Sequence, residues 1–171
     1  MEAVATDNTT QGVAGALDQY LTFMLDGEEY GVDILSVREI RGWDSATPVP
    51  NAPKHVKGVI NLRGTIVPLI DLRERFNLEP LEYGPMTVVI VLNVNTDKGE
   101  KTMGIVVDAV SDVYSISADD MRDPPDLGDS VDTNYIKGLV NVQEKMVILL
   151  EIDRFLNADR LPTSSDYGLD A

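Results

Sequence analysis

His55-Val56-Lys57-Gly58-Val59-Ile60-Asn61-Leu62-Arg63-Gly64-Thr65-Ile66-Val67-Pro68-Leu69-Ile70-Asp71-Leu72 returns in the second half of the chain as the stretch from Tyr135 to Ile152. Lys57/Lys137, Gly58/Gly138, Asn61/Asn141, Val67/Val147 and Leu69/Leu149 are identical, and Asp71/Glu151 is a conservative match. Each copy reads as two apolar strands, covered on much of both faces, around a turn. Two copies predict a fold of two similar halves. The turn carries Arg63-Gly64 in the first copy and Gln143-Glu144 in the second. Symmetry of fold therefore does not require arginine, and its presence points to function.

Working outward from the repeat, Leu21, Phe23 and Leu25 alternate with Tyr20, Thr22 and Met24, the period-two signature of a strand over 20–26. Asp26-Gly27 supplies a tight turn and residues 29–33 return. Ile34, Val37 and Ile40 continue into an element whose type the pattern leaves open. Pro48, Pro50 and Pro53 then impose an extended connection. A short helix over 72–76, capped by Asp71, closes the first half. The second half repeats the plan. Strands are expected over 87–93 and 103–107 around an Asn95–Gly99 loop, and again over 110–116. A helix begins at Ser117-Ala118-Asp119-Asp120 and stops at Pro124-Pro125, and a last one spans 153–156. Many short strands with frequent turns predict a pair of β-barrels. Residues 1–18 and 161–171 read as polar tails around a domain over 19–160.

The chain has 171 residues, enough for one ordinary domain or two small ones sharing a core. Fourteen basic residues against 29 acidic ones give a net charge of −15, which disfavours nucleic acid and anionic membrane as partners. The absence of cysteine excludes disulfides, thiolate metal sites and cysteine nucleophiles. Positions 1–18 lack the basic and apolar regions of a signal peptide, and no apolar run approaches the ~18 residues that span a bilayer. A cytoplasmic protein is expected, which makes the glycosylation triplet at Asn8 a chance match.

Catalytic motifs are absent: the sequence has no phosphate loop, dinucleotide fingerprint, nucleophile elbow or H-E-x-x-H. His55 is the only histidine, too little for a zinc site, and reads as a partly exposed residue before a strand. The Asn93-Asn95-Asp97 run starts like a calcium loop but has Lys98 and Gly104 where glycine and glutamate are needed. No pair of carboxylates stands out as acid and base against an acidic surface. No cofactor or metal is expected.

The residues that rise above this background are of the binding kind. Arg63 places a five-donor guanidinium at a rigid tip beside apolar edges, a pattern that fits a solvated turn equally well. If residues 36–40 are extended, Val37 and Glu39 share one side and pair an apolar contact with a charge; the plainer reading is a wall residue beside a solubilising one. Trp43, the only tryptophan, reads as the cap of a barrel end.

Glu29-Tyr30-Gly31-Val32-Asp33-Ile34-Leu35, Val37-x-Glu39-Ile40, Val49-Pro50-Asn51-Ala52-Pro53, Lys57 to Gly64 and Val67 to Leu72 resemble the CheW family of chemotaxis coupling proteins. The resemblance continues through Gly104-Ile105-Val106-Val107-Asp108 to Phe155. It implies a mainly β fold of two five-stranded, SH3-like β-barrel subdomains, interleaved in sequence, with a few short helices. It implies an adaptor and not an enzyme, joining transmembrane chemoreceptors to the regulatory domain of a CheA-like histidine kinase in membrane-associated arrays. The relatives with kinase or receiver domains are longer, so a free-standing coupler, monomeric when isolated, is expected. By the same resemblance Val37 and Glu39 fall on the kinase-binding face, with Arg122 and Leu127 at a second kinase contact. Gly58, Arg63, Val88 and Val113 fall in the receptor-binding groove between the barrels. Two alternatives stay open: an adaptor for a CheA-like kinase outside chemotaxis, and a small acidic hydrolase with paired carboxylates.

Overall fold

The computed structural model describes residues 17–124 and 135–157. The first half contains β1 (Leu17–Leu25), β2 (Glu28–Asp33), β3 (Val37–Gly42), β4 (Val56–Leu62), β5 (Thr65–Asp71) and α1 (Leu72–Arg75). The second contains β6 (Val88–Thr96), β7 (Gly99–Val107), β8 (Ala109–Ser117), β9 (Ile136–Val142), β10 (Lys145–Leu150) and α2 (Ile152–Asn157). Two five-stranded sheets result, in the orders β9-β10-β2-β1-β8 and β3-β6-β7-β5-β4. Each sheet thus draws strands from both halves, which interleaves them.

The repeat seen in sequence is a repeat in space. In the β4–β5 hairpin Val56, Gly58 and Leu62 face Ile70, Leu69 and Thr65, and in the β9–β10 hairpin the matching Ile136, Gly138 and Val142 face Leu150, Leu149 and Lys145. Both hairpins carry a bulge before the glycine. β5 then pairs in parallel with β7 through Leu69 and Gly104, as β10 pairs with β2 through Leu149 and Gly31. Among the described residues neither sheet closes into a barrel through a full ladder. Instead one isolated bridge spans each seam, Thr47 to Val59 and Arg122 to Leu139, and Val59 and Leu139 hold the same place in the two copies.

Alternation along the strands builds three cores. Leu21, Phe23 and Leu25 of β1 enter a cluster between the sheets with Ile70, Ile90, Leu92, Ile105 and Phe155, whereas Tyr20 turns to the other side. Each sheet also folds over a smaller interior, Leu62, Val67, Leu69, Val89, Val91 and Val106 in one, Tyr20, Ile116, Val140, Val147 and Leu149 in the other. Strands buried on both faces explain why β5, the first five residues of β6 and the last five of β7 are nearly continuous apolar runs.

Several expectations need correction. Strand β1 starts at Leu17, within the span read as a tail; residues 1–16 and the 161–171 tail lie outside the described residues. The element after β2, whose type the pattern leaves open, is a single 3-10 turn, Ile34–Ser36, followed by a strand. The helix read from Ser117 is also only one 3-10 turn, Ala118–Asp120, although Ser117 does cap it. The Asn95–Gly99 loop shrinks to Asp97-Lys98, because β6 and β7 pair out to Thr96 and Gly99.

A polar network ties the two sheets together. Asp71, buried, accepts from the Arg73 and Glu74 amides at 2.9 and 3.3 Å and from the Tyr83 hydroxyl. Arg73 makes a bidentate pair with Asp108, 2.8 Å at both contacts, reaches Asp26 at 3.5 Å and donates to the Glu79 carbonyl at 2.7 Å. Asp108 also accepts from the Asp26 amide at 2.8 Å, so one carboxylate fixes the β7–β8 crossover to the β1–β2 turn. Burial pushes the Asp108 carboxyl up, but the Arg73 and Asp26 hydrogen bonds outweigh it and the net direction is down. A carboxyl lowered in the folded state stabilises above its unfolded value near ~3.9. That contribution is lost as pH falls through the lower folded value. Arg73→Ala is therefore expected to cost about 1.5 kcal/mol at pH 7. The deficit should shrink toward pH 3, as urea unfolding at the two pH values checks.

Candidate functional site

β3 is an edge strand, and a register shift within it decides what its side chains face. Val37 pairs with Leu92 and Glu39 with the adjacent Val91. Directly paired residues share a face, so Val37 and Glu39 lie on opposite sides of the strand, contrary to the shared side expected for a regular extension. Val37 packs against the core between the sheets. Glu39 turns toward the β4–β5 turn.

That turn holds Arg63 at φ 50° and Gly64 at φ 90°, the two positive values of a type I′ hairpin. The Asn61 side chain accepts from the Gly64 amide at 2.8 Å. Arg63 reaches back so that its Nη2 lies 2.5 Å from Glu39 Oε1, with Arg41 Nε at 3.9 Å from Glu39 Oε2. The Arg63 hydrogen bond outweighs partial desolvation and, with Arg63, Arg41 and Arg38 nearby, holds the Glu39 carboxyl below the usual carboxylate range. The structure thus joins two residues that the sequence reading assigned to different partners. The Arg63 side chain is 70% exposed, so most of its donors remain open to a further acceptor.

The remaining candidates are distributed. Val88 opens β6, between Gly42 of β3 and Val107 of β7, and is half-buried against the core between the sheets. Val113 lies on edge strand β8 opposite Leu21 and is 43% exposed. Its counterpart in the other sheet is Ile40 on edge strand β3, which is 46% exposed. Ile40 was not among the candidates, and its matched edge position and exposure are what identify it. Gly58 is buried and offers a partner no surface. Arg122 is exposed, in the isolated bridge to Leu139 at the seam of the other sheet, apart from Glu39 and Val37. Leu127 lies outside the described residues. Trp43 packs edge-on against Tyr83 with ring centroids 4.5 Å apart and covers one end of the smaller core beneath it, as a cap.

Among the described residues no group of three or more His, Asp or Glu side chains could hold a metal ion. No described helix is long and apolar enough to cross a membrane. What the surface offers is an ion pair at a rigid tip, exposed apolar residues on two edge strands, and backbone edges open to pairing. Those features define a protein–protein binding module.

The chain belongs to the CheW-like domain family, whose model matches residues 19–160. It is 46% identical over 143 residues to the chemotaxis protein CheW of Klebsiella aerogenes, covering 84% of each chain. It is 36% identical over 135 residues to that of Rhizobium meliloti, covering 79% of this chain and 84% of the relative. A crystal structure of the scaffolding protein CheW from Thermoanaerobacter tengcongensis superposes with a TM-score of 0.72 at 30% identity, covering 81% of this chain and 87% of that one.

Proposed function

We propose that this chain is a chemotaxis adaptor that couples transmembrane chemoreceptors to the regulatory domain of a CheA-like histidine kinase. The observation that carries the reading is the Glu39–Arg63 pair. It sets a kinase-facing and a receptor-facing candidate in direct contact, on a fold shared with proteins named for chemotaxis. Val37, Glu39 and Arg122, with Leu127, are assigned to the kinase. Arg63, Val88 and Val113 are assigned to the receptor's cytoplasmic tip, where an amphipathic helix would lay its apolar face in a groove between the two barrels and set a carboxylate or helix-end carbonyl against Arg63. Gly58 serves that region by shaping the backbone, not by contact. The role is non-enzymatic, and the protein acts in the cytoplasm, recruited to membrane-associated arrays. Transmission between the partners requires that one ligand change the affinity for the other.

Calorimetric titration with the kinase regulatory domain from the same organism tests the kinase assignment. Glu39→Lys, which turns the carboxylate among three arginines into a further cation, is expected to weaken binding at least tenfold, about 1.4 kcal/mol. An unchanged affinity in a folded variant would remove Glu39 from the kinase face.

A further inference from the structure

The two halves serve as controls for each other at their seams. In the sheet that ends in β8, the seam beside the Arg122–Leu139 bridge is filled by Met121, packed against the small interior with Tyr20, which is fully buried. Met121 lies against Gly138, where an added Cβ would come 2.3 Å from its Cγ. The other seam is bridged at Thr47–Val59. There the residue before the bridge is Ala46 in place of Met121, and Val89, two residues before the partner of Gly104, stands in place of Tyr20, two residues before the partner of Gly31. Trp43, which stands where Ile116 stands in the other half, packs on Tyr83. Two large side chains are thus replaced by small ones, and an open cleft of about 310 Å³ remains, walled by Arg41, Trp43, Thr47, Ile60, Leu69 and Val89. That is the lower end of the volume range of ligand pockets.

The charge at its mouth runs against that of the chain. In a protein of net charge −15, Arg41 lines the cleft beside Glu39, which Arg63 and Arg38 also approach, and Asp44 is the one carboxylate among the described residues of its wall. The bridge at Thr47 is isolated, so the flanking backbone of the seam has room for a further extended segment. We infer that this cleft is a docking site for an extended acidic peptide segment of a partner, which inserts one flexible apolar side chain, methionine or leucine, where Met121 inserts in the other half. The arginines meet the segment's carboxylates, and the apolar floor takes the anchor. Lys and Arg anchors are disfavoured by the same arginines.

The test needs no knowledge of the natural partner. The full chain, labelled with nitrogen-15, is titrated with a short synthetic acidic peptide bearing one central methionine, and in parallel with its alanine-for-methionine and lysine-for-acid counterparts. Saturable shifts confined to the amides around Arg41, Thr47 and Val59 are expected, with binding weakened at least tenfold for either counterpart. Ala46→Met, which installs the plug of the other half, is expected to weaken binding as much without lowering the melting temperature. Arg41→Glu, which leaves the cleft open, supplies the same reading through charge alone. The inference is overturned if the acidic peptide shifts no cleft amide, if the basic peptide binds as well, or if both variants bind like the parent. Because no kinase or receptor enters the titration, its failure is separate from failure of the coupling role.

Discussion

Gly58→Ala is expected to lower stability by about 3 kcal/mol, close to the most that single substitutions ordinarily cost. Gly58 has φ 142°, a conformation that side chains rarely adopt, and a Cβ there would lie 2.3 Å from the Thr47 carbonyl oxygen. That oxygen accepts from the Val59 amide at 2.9 Å in the bridge that holds the seam, so the backbone cannot yield without losing the bridge. Gly138 supplies the comparison. Its φ is not in the left-handed region, and its nearest neighbours are the Cγ and Sδ of Met121, a side chain that can rotate away. Gly138→Ala should cost only about 1 kcal/mol. Urea unfolding of the two variants checks the contrast, and equal losses would show that the seam bridge does not set the cost.

The second large effect is on receptor binding. Arg63→Glu is expected to reduce affinity for the receptor tip at least thirtyfold, about 2 kcal/mol, the size of a binding hot spot. The new carboxylate would face Glu39, replacing a pair at 2.5 Å by like charges, and would repel any acceptor that the guanidinium holds. The exposed position of the tip leaves the fold intact. The charge-swapped double variant, Glu39→Arg with Arg63→Glu, restores the pair and separates its two roles. Recovery of receptor binding would mean that the pair's geometry matters. Continued loss would mean that the guanidinium itself makes the contact.

Much of this was legible in the sequence, for identifiable reasons. The recurrence of 55–72 in 135–152 carried through to register, bulge and bridge, because the same alternation of apolar residues pairs the two strands of each hairpin, although Gly58 and Gly138 differ in backbone conformation. Alternation in 20–25 matched the two faces of β1, since each face meets a different apolar core. The register shift between Val37 and Glu39 was not legible. A bulge adds one residue to a strand without changing its composition. The Glu39–Arg63 contact joins residues 24 apart through the curl of a sheet, which no local pattern encodes. Interleaving was readable only through the family resemblance, because it depends on which half supplies each sheet's partner strands. The helix read from Ser117 had a genuine cap but lacked the length to propagate, so it stopped after one turn.

The central claim is that one chain holds kinase and receptor together. Cosedimentation tests it most directly: purified kinase is spun with vesicles bearing the receptor, with and without this protein. Kinase that pellets only when the chain is present, and that is lost from the pellet with either Glu39→Lys or Arg63→Glu, is the predicted result. Kinase that stays in the supernatant in its presence would contradict the account.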